Sequence, residues 1–161
     1  MLIPVLVGFF ALLHPTPLPS PAATSADIAG LYVGTRLNYH ALPRIERVPS
    51  VDGWEHWFKL EEALITIRPD GRFIASFRYY RQHVPPRAPV RPGPLLNESY
   101  KGKYSVKGTT ITFVPDKTKE HKVVRPIVGT ISNSQLSIPY IVAEGQSQHP
   151  LRLDMRRESG W

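Results

Sequence analysis

The sequence predicts an all-β fold, in which an antiparallel meander of about eight short strands closes into a barrel with one long aromatic loop and one proline-rich loop. Three observations support this fold class. Apolar and polar residues alternate over several short stretches, which is typical of strands with one buried face. Turn signals separate these stretches, and no stretch of useful length has a helical period. A meander of this kind avoids exposed edge strands when it closes into a barrel.

The clearest hairpin runs from Tyr100 to Val114, where the alternation stops at Lys107-Gly108 and then resumes. A two-residue turn needs positive φ, which glycine adopts readily, so Lys107-Gly108 is the predicted turn. Tyr104 then lies opposite Ile111, and Phe113 points to the same face. A register slip of one residue would instead bring the polar side chains to the buried face.

A second hairpin turns at Pro69-Asp70-Gly71, a combination that is typical of tight turns. This turn places Ile67 opposite Phe73 and Ala63 opposite Phe77. The apolar side chains of both strands again share one face, so the turn position and the hydrophobic pattern support each other.

A third hairpin turns between Ser132 and Gln135. Ile131 then lies opposite Leu136, and Tyr140 points to the same face as both. Two further alternating stretches complete the meander, at residues 28–37 and 149–157.

The long aromatic loop is predicted from Asn38 to Lys59, where the alternation is absent. It carries Trp54 and Trp57, which either plug one end of the barrel or line a ligand entrance. The overlapping segment from Glu55 to Leu64 is long enough for a short helix at most. Long loops in compact domains are usually functional or disordered.

The proline-rich loop is predicted from Arg81 to Ser99. Proline fixes φ and lacks a backbone donor, so this segment is expected to be extended and outside the sheet. Its arginines, Arg81, Arg87 and Arg91, are candidates for binding an anion. The alternative is a solvated surface loop that has no partner.

Residues 1–26 are predicted to be a targeting segment. The run from Leu2 to Leu13 has no charged side chain. It is shorter than the ~20 residues of a membrane-spanning helix but fits the ~7–15-residue apolar region of a secretory signal. Because no Lys or Arg precedes the run, an uncleaved anchor or a disordered tail are alternatives to cleavage after Ala26 or a few residues earlier. We expect a secreted or periplasmic protein with residues 27–161 as one barrel domain and no transmembrane span in the mature chain.

Composition narrows the class of partner. Lys and Arg number 20 against 13 Asp and Glu, a net charge of +7. This charge either serves solubility alone or favours an anionic neighbour, such as an envelope glycan or a lipid head group. Cysteine is absent, which excludes disulfides, thiol nucleophiles and Cys-ligated zinc. Phe77 to Gln82 interleaves aromatic and basic residues as single-strand nucleic-acid platforms do, but the signal-like start and the strand count argue against that partner.

No catalytic residue, metal site or cofactor is predicted. The six histidines show neither H-x-H nor H-x-x-x-H spacing, and no nucleophile elbow or phosphate-binding glycine loop is present. Whether the protein is an enzyme stays open, because that would require several titratable side chains to converge in a pocket. The side chains available for this in and beside the aromatic loop and at the end of the second hairpin are Glu55, His56, Glu61, Glu62 and His83.

Three phrases of the sequence carry a family resemblance: Ile28 to Tyr32, Leu64 to Phe73, and Gly102 to Phe113. They are similar to the phrases I-x-G-x-W, L-T-x-x-P-D-G-x-F and G-x-Y-x-V-x-G-x-x-I-T-F. The chain therefore resembles the bacterial lipocalin-like domains, which are small secreted β-barrels of the calycin type. The likeness spans most of residues 28–156.

The resemblance implies a lipocalin-like barrel and permits an apolar ligand. In lipocalins a Trp two residues after the glycine packs under an Arg of the last strand and closes the barrel floor. Tyr32 stands at that place here, and either Arg152 or Arg156 is expected to cover it. Many such domains have no known ligand, and a fold by itself does not fix a function.

Two functions follow as hypotheses. The first is a non-enzymatic extracytoplasmic binding module whose barrel holds one small apolar molecule. Its ligand-binding candidates are Trp54, Trp57, Phe73, Phe77, Tyr104, Phe113 and Tyr140. The alternative is an envelope structural or interaction protein with a solid barrel, which binds an anionic glycan or a protein partner through its basic and proline-rich surface. Its anion-binding candidates are Arg81, Arg87 and Arg91.

Overall fold

A computed structural model describes residues 25–49, 53–89, 93–119, 125–132, 134–140 and 151–160. The predicted signal up to residue 24, Arg91, the whole segment 141–150 and shorter stretches of other connections lie outside these ranges. Within the described residues, no helix has the length and apolar character needed to cross a membrane.

The described chain is all-β apart from one turn of helix, and the predicted fold class is confirmed. The elements are α1 (Ser25–Ile28), β1 (Gly30–Leu37), β2 (His40–Ala41), β3 (Arg44–Pro49), β4 (Glu55–Ile67), β5 (Arg72–Val84), β6 (Leu96–Lys107), β7 (Thr110–Pro115), β8 (Ile127–Ile131), β9 (Gln135–Tyr140) and β10 (Leu151–Arg157). They form one antiparallel sheet in the order β2-β1-β10-β9-β8-β7-β6-β5-β4-β3.

The barrel closes because β1 also pairs with β4. Gly30 lies opposite Ile67, and Val33 lies opposite Leu64. Strands β1 and β4–β10 therefore form a closed eight-stranded barrel. The two extra strands add to this sheet, with β2 paired to β1 and β3 paired to β4. Closure gives each of those eight strands a paired neighbour on both sides, which is the state that the meander pattern favours.

The predicted register is confirmed for the β4–β5 hairpin along its length and for the β8–β9 hairpin at the residues beside its turn. In the β4–β5 hairpin Ile67 pairs with Phe73 and Ala63 pairs with Phe77. Across the β8–β9 turn Ile131 pairs with Leu136. In each hairpin the turn residues and the apolar face favour the same register, so local sequence is enough to predict the pairing.

The register predicted for the β6–β7 hairpin is wrong by two residues. Tyr104 pairs with Phe113, not with Ile111, and Ile111 pairs with Val106. The turn residues are Gly108 and Thr109, since Lys107 and Thr110 are already paired, and Gly108 adopts φ 60° at the first turn position. A shift of two residues keeps every side chain on its face, so the apolar pattern alone could not reveal the error.

The segment from Asn38 to Lys59 is not a loop over most of its length. It contains β2, β3 and the first residues of β4, so the prediction of a short helix over Glu55 to Leu64 is wrong. A bulge in the pairing of β4 with β5, between Leu60 and Glu62, explains the missed strand. A bulge inserts one residue and reverses which positions face inward, and this breaks the two-residue period.

One end of the barrel, which we call the turn end, is closed by short turns and by the residues around α1. The Tyr32 hydroxyl donates a hydrogen bond to the Ile28 carbonyl oxygen at 2.9 Å, and both side chains are fully buried. Arg157 donates from Nη1 to the Asp27 carbonyl oxygen at 2.6 Å. Arg157 also lies over Gly30, where a Cβ atom would come within 2.8 Å of its Nε.

The arginine beside Tyr32 is therefore Arg157, and neither Arg152 nor Arg156 takes that position. Arg152 instead binds Asp154, and Arg156 lies near Glu158. The reason is the strand pairing, because Tyr32 pairs with Arg157 across β1 and β10.

The inward side chains of the turn-end half pack against one another. The rings of Phe73 and Phe113 meet edge to face with centroids 4.9 Å apart, and the Tyr104 and Phe113 centroids are 6.4 Å apart. The Tyr104 hydroxyl donates to the Arg68 carbonyl oxygen at 2.8 Å. Aromatic contacts of this kind add to the free energy of burial.

We expect Gly102→Ala to lower the free energy of unfolding by at least about 1–3 kcal/mol, because the added methyl group would overpack the site. Its Cβ would clash with the Val114 carbonyl oxygen and come within 2.7 Å of the Pro115 Cα atom, both on the backbone of β7. Urea unfolding measures the change. The control is Gly93→Ala, whose Cβ would have its nearest neighbours at 3.5 Å and should change the free energy by less than about 0.5 kcal/mol. Equal effects of the two substitutions would contradict the β6–β7 packing.

Candidate binding site at the loop end of the barrel

The two ends of the barrel differ in their strands and connections. Strands β4, β5 and β6 have 13, 13 and 12 residues, against five to eight residues for the other barrel strands. They extend past their neighbours at the end opposite the turn end. We call this the loop end, because β5, β7 and β9 end there and β6, β8 and β10 begin there.

The inward face of these long strands becomes polar at the loop end. Glu98 on β6 lies on the same face as Tyr104, six residues away in a strand whose side chains alternate. The Tyr79 hydroxyl donates to Glu98 Oε1 at 2.6 Å, and the Tyr100 hydroxyl donates to Oε2 at 3.0 Å. A half-buried carboxylate is thus held inside the barrel by two tyrosine donors.

Aromatic rings surround the tyrosines that hold Glu98. Phe58 contacts both Tyr79, at a centroid distance of 5.2 Å, and Tyr140, at 5.4 Å. Phe77 contacts Tyr140 at 5.2 Å. The Glu98 carboxylate therefore lies against an apolar wall built from β4, β5 and β9.

The tyrosines at this site are held in their protonated form. Burial and the adjacent Glu98 raise the pKa of Tyr79 well above its usual range, with the hydrogen bond to that carboxylate as the second cause. Burial raises the pKa of Tyr140 well above its usual range, and Glu98 adds to this effect. A protonated Tyr79 is the donor that the carboxylate requires.

A second polar group at the loop end is His56 on β4, which is 7% exposed and whose two ring nitrogens find no hydrogen-bond partner in the part of the chain that the structure describes. Its ring stacks on that of His83 with centroids 4.5 Å apart, as the two residues pair across β4 and β5. The Trp54 ring lies 4.9 Å from that of His83. A buried imidazole without partners is uncommon in folded proteins and calls for an explanation.

The predicted ligand-binding residues fall into three groups. Phe77 and Tyr140 lie beside the Glu98 site, whereas Trp54 lies against His83 with ring centroids 4.9 Å apart and is 43% exposed. Phe73, Tyr104 and Phe113 belong to the packed core of the turn-end half. Trp57 is buried, but it neighbours Phe58 along β4 and so faces away from the barrel core. That all seven bind one ligand stays a prediction.

The predicted anion-binding arginines are spread out. Arg81 lies near the end of β5 and pairs with Phe58, at a position on the same face of the strand as Tyr79. Its positive charge slightly offsets the increase in the pKa of Tyr79. Arg87 is exposed in the proline-rich loop with φ 63°. Arg91 lies outside the described residues. Anion binding by these three arginines stays a prediction.

Glu98 is not identified from the sequence, and His56 is named there only among the titratable side chains that an enzyme would need. The predicted proline-rich loop from Arg81 to Ser99 is too long at both ends, because β5 continues to Val84 and β6 begins at Leu96. The even-numbered positions of β6 include the inward Gly102 and Tyr104, and Glu98 shares that parity. Within the described residues, no group of three or more His, Cys, Asp or Glu side chains converges to hold a metal ion. The arrangement can accept hydrogen bonds and bury apolar surface.

We expect the free energy of unfolding to fall as the pH rises above about 10, the pKa of an unfolded tyrosine. Burial raises the pKa of Tyr32, Tyr79 and Tyr140 in the folded state, so the unfolded chain loses these protons first. Each such group contributes up to about 1.4 kcal/mol per pH unit in that range. Urea unfolding between pH 8 and pH 11.5 measures the slope. Tyr79→Phe should make it shallower, and an unchanged slope would contradict the burial of this hydroxyl.

The comparisons with known proteins found no relative. The chain matches no protein-family model, no curated protein and no solved structure at a significant level. The closed eight-stranded antiparallel barrel is compatible with a lipocalin-like barrel, and the fold class stands on the strand pairing of this chain.

Proposed function

We propose that the protein is a lipocalin-like, non-enzymatic binding module that takes one small molecule at the loop end of its barrel. The ligand is mostly apolar and carries one polar end that donates a hydrogen bond to Glu98. Action outside the cytoplasm is part of the proposal, and it is supported by the apolar run from Leu2 to Leu13, which fits a secretory signal.

The observation that carries the proposal is the inward-facing carboxylate of Glu98. A barrel that served only as a scaffold would be more stable with an apolar side chain there, because a desolvated carboxylate costs free energy. Among the described residues Glu98 has no cation within ion-pair distance, and its recorded partners are the two tyrosine hydroxyls. A carboxylate has about four acceptor positions, so capacity remains for a ligand donor.

The neighbouring side chains support an amphipathic ligand. Phe58, Phe77 and Tyr140 present apolar surface beside the carboxylate. His56 supplies a donor and an acceptor with no partner in the described chain. Small-molecule sites commonly combine a mostly apolar lining with a few placed polar groups. The plugged turn end leaves the loop end as the side from which a ligand would approach.

A second candidate function is that of an interaction protein with a solid barrel. It is favoured by the ring contacts of Phe73, Tyr104 and Phe113, which occupy the turn-end half. In that case the basic charge of the chain would act at the outer surface. The two candidates differ in whether an apolar probe is taken up.

We expect the protein to bind N-phenyl-1-naphthylamine, a neutral aromatic probe with a single N–H donor, with a rise and a blue shift of its fluorescence. Glu98→Gln should weaken binding about tenfold, because a hydrogen bond to a charged acceptor is roughly twice as strong as a neutral one. The control is Glu62→Gln, which removes an outward carboxylate paired with Arg78 at 3.5 Å and should leave binding unchanged.

Two results would contradict the proposal. One is a wild-type protein that leaves the probe fluorescence unchanged and shows no co-purifying small molecule in native mass spectrometry. The other is an equal effect of the Glu98 and Glu62 substitutions, which would place the probe elsewhere on the molecule.

A further inference from the structure

The turn between β1 and β2 has a residue in an unfavourable backbone conformation. Leu37 pairs with His40, so Asn38 and Tyr39 form a two-residue hairpin turn. Their φ angles are 49° and 70°. Turns with positive φ at both positions favour Asn followed by Gly, and Tyr39 stands where Gly is preferred. A bulky residue in this region costs free energy, and such residues cluster at functional sites.

The fold gains little from the side chain of Tyr39. Its side chain is 65% exposed and does not belong to the core. Its ring instead lies against a guanidinium group, with Arg152 Cζ 5.3 Å from the ring centroid. The backbone supports this pair, since the Asn38 amide donates to the Arg152 carbonyl oxygen at 2.7 Å.

Arg152 is oriented by a second partner. Its Nε donates to Asp154 Oδ1 at 2.7 Å, which fixes the plane of the guanidinium group beside the Tyr39 ring. An arginine has five N–H donors in a rigid fork that matches carboxylate and sulfate oxygens. Asp154 and the Tyr39 hydroxyl use part of this fork, and the remaining donors lie on an exposed surface.

Arg152 of this pair lines a groove on the outside of the barrel, and the Tyr39 ring lies against Arg152. Two concave regions of about 360 and 560 Å³ share Thr130, Ser137 and Arg152 and so form one continuous depression across β8, β9 and β10. The larger region also contains Arg36, Asp154 and Arg156. The described residues that line it thus supply three arginines and one carboxylate, together with hydroxyl groups. A second carboxylate, Glu158, lies 3.7 Å from Arg156 beside the groove.

We propose that this groove is a second binding site and that it takes an acidic sugar, one that carries a carboxylate or a sulfate. The arginines would bind the anionic group, and the Thr130 and Ser137 hydroxyls would bind sugar hydroxyls. The exposed ring of Tyr39 offers a flat apolar face for the C–H side of a sugar ring. Charge, hydroxyl groups and an exposed aromatic ring together fit an acidic oligosaccharide. The site is separate from the Glu98 site and does not depend on the function proposed for it.

The test is isothermal titration calorimetry on the full chain with three tetrasaccharides. Tetragalacturonic acid carries carboxylates, a chondroitin sulfate tetrasaccharide also carries sulfates, and maltotetraose is neutral. We expect at least one acidic sugar to bind at least tenfold more tightly than maltotetraose, and the stronger of the two identifies the anionic group. Absence of binding to both acidic sugars, or equal binding of all three, would overturn the proposal.

Two substitutions test the named residues. Tyr39→Gly should weaken binding of the acidic sugar at least tenfold while the melting temperature stays equal or rises, because glycine suits the turn. Arg152→Gln should weaken binding by a similar factor. Its control is Arg68→Gln, since Arg68 is similarly exposed, at 54% against 50%, and also pairs with an aspartate two residues on.

A structural role for Tyr39 gives the opposite result. If Tyr39→Gly lowers the melting temperature, or leaves sugar binding intact, the ring serves the fold and the proposal is wrong. Equal losses from Arg152→Gln and Arg68→Gln would show that only the total charge matters, and this too would overturn a specific groove.

Discussion

The pairing of β1 with two strands at once is the constraint on which the rest of the structure depends. Residues Gly30–Val33 pair with β4 on one side, and Tyr32 and Val33 also pair with β10 on the other. This double pairing converts a sheet with two edges into a closed barrel. It also positions Arg157 beside Tyr32, where Arg157 binds the Asp27 carbonyl oxygen and covers Gly30. The contacts that close the barrel therefore also close its turn end. Once one end is plugged, the interior can meet solvent or a ligand through the loop end.

The distribution of polar groups follows from this asymmetry. In the turn-end half the inward tyrosines, Tyr32 and Tyr104, donate to backbone carbonyl oxygens of the plug and the β4–β5 turn. In the loop-end half Tyr79 donates to a side-chain carboxylate, and His56 has no hydrogen-bond partner among the described residues. Buried polar groups are normally satisfied within the fold. Folding alone therefore explains the polar groups of the turn-end half. In the loop-end half, Glu98 and His56 keep hydrogen-bonding capacity that the proposed ligand would use.

The sequence predicts strand pairing correctly where the turn residues and the apolar pattern favour one register. It does not predict pairing that depends on contacts between segments far apart in the chain. The β4–β5 hairpin was predictable residue by residue because its turn and its apolar face favour one register. The strand at Glu55–Leu64 was missed because a bulge after Leu60 interrupts the two-residue period. The closing contact of β1 with β4 joins strands far apart in sequence, and alternation does not specify which strands meet. For that reason the partner of Tyr32 was predicted as Arg152 or Arg156, although the pairing brings Arg157 there.

The double pairing of β1 is tested most directly by cross-strand nuclear Overhauser effects on uniformly labelled protein. The closed barrel predicts backbone contacts from Tyr32 to both Ile65 and Arg157, and from Val33 to both Leu64 and Arg156. It also predicts slow amide exchange along this part of β1, because both sides of the strand are hydrogen-bonded. Contacts from β1 to β10 alone, with fast exchange of amides that face β4, would show an open sheet and contradict the closed barrel.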